Sequence, residues 1–107
     1  MGPEDTVAAL CRDLDRHIAN YADQSRVAAE ADAAYRTGRA KRILRARADG
    51  VKSISEAETI ADADDFVADL RLKHLIAAAH QDATGKTIMA LRERIGFGRT
   101  LLANQRE

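Results

Sequence analysis

The sequence predicts an all-α protein, two long helices in an antiparallel, coiled-coil-like hairpin completed by oligomerisation into a helical bundle. Three observations predict it. From Ile54 to Leu102, steps of three and four residues pick out Ile60, Ala63, Val67, Leu70, His74, Ala77, Gln81, Thr84, Ile88, Leu91, Ile95, Gly98 and Leu102, with no proline between them. That is the stripe of a helix buried against another helix. Aromatic residues are 4%, Trp is absent and charged residues are 32%, a mixture that suits Ala-rich helices with charged flanks and argues against strands. Charge also changes sign by quarters: seven acidic and three basic residues up to Tyr35, one and seven over 36–52, six and none over 53–70, three and seven from Arg71 onward. Folding the chain at Gly50 sets opposite signs beside each other along both arms, whereas a parallel pairing would set like against like.

A chain of 107 residues is read as a single helical domain, 1–107. The first helix is expected over about 4–48. Pro3 suits a first helical turn, and Glu4 and Asp5 lie where a helix N-terminus favours negative charge. Val7, Leu10, Leu14, Ile18, Tyr21, Ser25, Ala28, Ala31 or Asp32, and Tyr35 then form its apolar stripe. Gly38 is a weak point or slight kink. Asp49-Gly50 is a stop, because Gly after a helix end adopts the left-handed conformation cheaply and Arg45 and Arg47 sit where a C-terminus prefers cations.

The turn is expected over about 49–53 and a second helix over about 54–104. Ser53 with Glu56, and Ser55 with Glu58, each fit a capping box. Gly96-Phe97-Gly98 weakens the helix near its end, and a continuous helix is the favoured reading over a kink, hinge or stop.

No pattern of catalysis, metal or cofactor emerges. Thr84-Gly85-Lys86-Thr87 ends like a phosphate-binding loop but has His80 where the leading Gly belongs and no strand before it. His74 and His80 are on different helical faces and His17 is far away, which is not zinc spacing. Cys11 is alone, so no disulfide closes within the chain. A two-helix protein offers little concavity for chemistry or for a small-molecule substrate, and the expectation is a protein that is not an enzyme. No apolar run is long enough for a bilayer and no leader pattern is seen, which points to a cytoplasmic protein.

Two candidate surfaces remain. The basic run Arg36, Arg39, Lys41, Arg42, Arg45, Arg47 and Lys52 is a possible nucleic-acid contact. The competing reading pairs it with the acidic stretch Glu56 to Asp69. The other surface joins seam positions Val67, Leu70, His74, Gln81, Thr84, Ile88 and Leu91 with a second stripe, Leu72, Leu75, Ile76, Ala79 and Ala83. A hairpin alone cannot cover both stripes, so a homo-oligomer is expected, with the polar middle of the seam setting register.

The stretch Ala90-Leu91-Arg92-Glu93-Arg94-Ile95, with Leu101 to Arg106, resembles the close of small helical proteins encoded by tailed bacteriophages and prophages. The layout of a long helix, a basic segment, a Ser- and Glu-rich cap and a second long helix is similar too. The resemblance implies a phage function near replication and recombination genes, in an infected or lysogenic bacterial host, and implies no catalytic residue. The function expected is a non-enzymatic interaction protein that self-associates and binds a phage or host protein in recombination, replication or host manipulation. The alternatives are a DNA-binding accessory protein using the 36–52 face and a virion or assembly component.

Overall fold

The computed structural model describes residues 2–106, without the side chain of Arg106. It is all-α, with α1 over Pro3–Ala48, α2 over Ile54–Ala63 and α3 over Asp65–Arg106. The chain divides into two compact units. A turn unit holds Ser25–Ala79, and a terminal unit holds the residues up to Gln24 with those from His80 onward.

In the turn unit the arms are antiparallel: moving back along α1, Arg42 faces Asp64, Gly38 faces Leu70 and Asp32 faces His74. Gly50, with φ of 105°, ends α1 as expected. Its N–H donates to the Arg47 carbonyl at 3.1 Å and the Val51 N–H to the Ala46 carbonyl at 3.1 Å. These are the two bonds of a Schellman motif, which satisfies carbonyls that the helix end leaves open. Of the two Ser-Glu pairs, Ser53 makes the cap: its hydroxyl accepts from the Glu56 N–H at 3.3 Å.

The second arm differs from the single helix expected over 54–104. It breaks at Asp64, which has an extended backbone (φ −70°, ψ 130°) and closes α2 by donating its N–H to the Ala61 carbonyl. The Asp64 carboxylate accepts from the Val67 N–H at 3.1 Å and its carbonyl from the Ala68 N–H at 2.8 Å. One residue therefore caps both helices, because a short carboxylate competes with the helical backbone for its N–H groups. The break re-phases α2. Ala57 and Ala61 are fully buried and Ile60 half-buried, while the expected seam residue Ala63 is exposed.

The seam continues through α3 as expected. Val67 and Ala77 are buried in the turn unit, with Leu70 and His74 half-buried beside them. In the terminal unit Ile88, Leu91 and Ile95 are buried, and Gln81, Thr84, Gly98 and Leu102 are half-buried. Gly96-Phe97-Gly98 lies inside continuous helix. Gly98 has a packing reason to be there, since a Cβ on it would fall 2.9 Å from Val7 Cγ2, whereas Gly96 faces open space.

Candidate interaction surfaces

The seam and the second stripe meet different fates. Val67, Ile88 and Leu91 are 1%, 8% and 5% exposed, so they are packed within their own units. Leu70 packs where Gly38 has no Cβ. Of the candidate interface, Leu72, Leu75 and Ile76 remain open, at 56%, 50% and 48% exposure. They lie on the side of α3 away from its seam, as their spacing requires.

The polar middle of the seam is built unevenly. In the turn unit His74 stacks on Tyr35, with ring centroids 5.9 Å apart and ring planes nearly parallel. Its Nε2 lies 3.7 Å from Asp32 Oδ1, an ion pair only when the imidazole is protonated, and its Nδ1 is buried without a hydrogen-bond partner. Such a position costs stability and specifies register. In the terminal unit Tyr21 approaches Gly85, where a Cβ would lie 3.4 Å from the ring. The Gly85-Lys86-Thr87 segment is plain helix, and Lys86 pairs with Asp82 at 3.0 Å.

The basic run is partly spoken for. Arg36 pairs with Asp32 one turn back. Arg39 reaches Asp62 at 2.8 Å and Glu58 at 3.9 Å across the arms, and Arg42 reaches Asp64 at 3.3 Å. The Arg39 hydrogen bond holds the Asp62 carboxyl below its ordinary value, and Asp62 in turn raises the Arg39 guanidinium. Asp64 is also lowered, first by the Val67 N–H and then by Arg42. Lys41, Arg45, Arg47 and Lys52 stay exposed.

The structure adds one feature that sequence spacing does not reveal. Phe66, 67% exposed, joins Lys41, Arg42 and Arg45 around a cleft of about 340 Å3. Its only sequence signal is the cap at Asp64, which starts α3 and so brings Phe66 onto the basic segment. In the terminal unit, Phe97 and Leu101 line an apolar groove of about 550 Å3 with Val7 and Leu10. Among the described residues no three metal-ligating side chains cluster, and no helix is long and apolar enough to cross a membrane. Comparison with known protein families, characterised proteins and solved structures finds no match for this chain.

Proposed function

We propose that this chain is a non-enzymatic helical interaction protein that self-associates and then engages a protein partner. The observation that carries the reading is a small core beside exposed apolar side chains, Leu72, Leu75 and Ile76 in the turn unit and Met89, Phe97 and Leu101 in the terminal unit. Among the described residues nine apolar side chains are buried, and five of them are alanine, so little burial energy is available within one copy. A second copy is the simplest source of the missing burial. The setting we propose is the cytoplasm of a phage-infected or lysogenic bacterium, with a phage or host partner in recombination, replication or host manipulation; it rests on the resemblance of the C-terminal stretch.

Light scattering across a concentration series tests self-association. A defined oligomer whose thermal midpoint rises with concentration is expected, and a stably folded monomer at all concentrations overturns the reading. Capture from infected or host cells, repeated with a variant that no longer self-associates, tests the partner.

A second reading, a nucleic-acid accessory protein, is favoured by Phe66 beside Lys41, Arg42 and Arg45, since an exposed ring between cations suits a stacked base. It predicts salt-sensitive binding to single-stranded DNA that Phe66→Ala with Lys41→Ala and Arg45→Ala abolishes. No binding at low salt ends it.

A further inference from the structure

We propose that the Phe66 cleft of the turn unit binds a nucleoside monophosphate, either free or as the phosphorylated end of a single strand. This deepens the nucleic-acid reading, rests on the same cleft and names the chemical group that the cleft selects. Phe66 lies against α1 where Gly38 lacks a side chain: its Cε1 is 3.8 Å from where a Cβ on Gly38 would stand. The ring is nevertheless 67% exposed, open to a flat partner such as a base. Around about 340 Å3 of space it meets Lys41, Arg42 and Arg45. That volume is at the small end of ligand sites and suits a single nucleotide.

Charge identifies the ligand. Asp64 accepts from the Arg42 Nε at 3.3 Å and leaves Arg42 Nη1 buried with no hydrogen-bond partner. Lys41 and Arg45 are exposed, and among the described residues neither forms an ion pair. The other charges of α3 nearby do not offset them: Asp69 and Lys73 pair with each other at 3.1 Å, and Asp65 falls on the side of α3 away from its seam. The side chains lining the cleft are three cations and one acid, so two positive charges are left over. A terminal phosphomonoester carries about −1.5 to −2 at neutral pH, whereas a phosphate within a strand carries a single charge. The opposite edge of the turn unit supplies the contrast. Tyr35, Arg36, Arg39 and Arg71 surround a cleft of about 470 Å3 there. Tyr35 is stacked on His74, Arg36 and Arg39 are paired with Asp32 and Asp62, and Arg71 also acts on Asp62. The same residue types are therefore occupied within the chain on one edge and free on the other.

The test is calorimetric titration of the full chain at low salt with thymidine monophosphate, thymidine, phenyl phosphate, and a short oligo-thymidylate bearing either a 5′-phosphate or a 5′-hydroxyl. Thymidine monophosphate is expected to bind and thymidine not. The 5′-phosphate should tighten the oligonucleotide about tenfold or more, the worth of a hydrogen bond to a charged group. Lys41→Ala with Arg45→Ala should erase that preference, and amide shifts on adding thymidine monophosphate to the parent chain should centre on residues 38–45 and 64–67. Equal binding of the two oligonucleotides, with none of thymidine monophosphate, overturns this inference and leaves the nucleic-acid reading standing. Binding of the monophosphate without either oligonucleotide upholds the inference and ends that reading. Thymidine binding as tightly as its monophosphate overturns the role of the phosphate. Phenyl phosphate binding as tightly as thymidine monophosphate overturns the nucleotide assignment in favour of a phosphorylated aromatic side chain. If none of the ligands binds, both readings fall. Shifts centred elsewhere reject the cleft, and they decide the matter even if the double variant does not fold.

Discussion

In the terminal unit α3 buries Ile88, Leu91 and Ile95 against an arm that supplies half-buried Val7, Leu10 and Leu14. In the turn unit the buried side chains are Ala28, Ala46, Ala57, Ala61 and Ala77, with Val67 the one large residue among them. The first arrangement depends on volume, because each branched side chain removes a large apolar area from water. The second depends on closeness. Alanines bring the backbones together, and orientation is then fixed by groups that reach across: Arg39 to Asp62, Arg42 to Asp64 and His74 on Tyr35. One fold therefore has two different weaknesses, since the terminal unit suffers when atoms are removed and the turn unit suffers when atoms are added.

The largest expected effect is a truncation in the terminal unit. Leu91→Ala removes most of a side chain that is 5% exposed and should cost about 2–5 kcal/mol in chemical denaturation. Its counterpart in the turn unit is an enlargement. Ala57→Leu places three extra carbons at a position with no exposed surface and should cost about 1–3 kcal/mol through overpacking. Amide exchange separates the two, with protection lost first around residue 91 in one variant and around residue 57 in the other. Equal losses in both regions from either substitution would mean that the units share one core and that the contrast is false.

How much of this was legible in the sequence follows from the same physics. Helical spacing reports which side of a helix is apolar, and twelve of the thirteen expected seam residues are buried or half-buried. The exception, Ala63, is displaced because Asp64 interrupts the helix. The interruption is readable in principle from an aspartate three residues ahead of Val67, yet an unbroken seven-residue repeat outweighs it on paper. Charge quarters anticipated the cross-arm bridges of Arg39 and Arg42, since sign survives small errors in register. They did not anticipate Tyr35 and Asp32 around His74, or Phe66 beside Lys41, because such contacts depend on alignment to within a single residue. The split of the candidate interface, with Leu72, Leu75 and Ile76 open and Val67, Ile88 and Leu91 occupied, also needed the packed arms.

A smaller effect separates two glycines that stand two residues apart. Gly96→Ala adds a methyl group in open space on a helix and should stabilise by up to about 1 kcal/mol through helix propensity alone. Gly98→Ala gains the same propensity but drives a Cβ to 2.9 Å from Val7 Cγ2, and valine, stiff at χ1, yields poorly. It should fall below Gly96→Ala, and below the parent chain if α1 is pushed away. Thermal midpoints of the two variants give the answer, and equal stabilisation would show that α1 does not approach α3 closely at Gly98.

The smallest effect is an acid sensitivity confined to the turn unit. Asp62 and Asp64 are both held below their ordinary value of 3.8, by Arg39 and by the Val67 N–H respectively. A carboxyl lowered in the folded state contributes stability above its unfolded value, and that contribution is lost as the pH falls through the folded one. Exposure keeps it small, because water and salt screen surface pairs. Stability of the parent chain should therefore begin to fall near pH 3.8 and continue falling below it, with lower amide protection, relative to the intrinsic exchange rate at each pH, at residues 57–67. Replacing both acids, Asp62→Asn with Asp64→Asn, should remove most of that slope and leave Leu91 exchange unchanged. The asparagine at 64 can still accept from the Val67 N–H, so the variant keeps the break between α2 and α3 while losing the charge. An undiminished slope in the double variant would assign the sensitivity to other carboxylates and would remove the cross-arm pairs from any role in holding the turn unit.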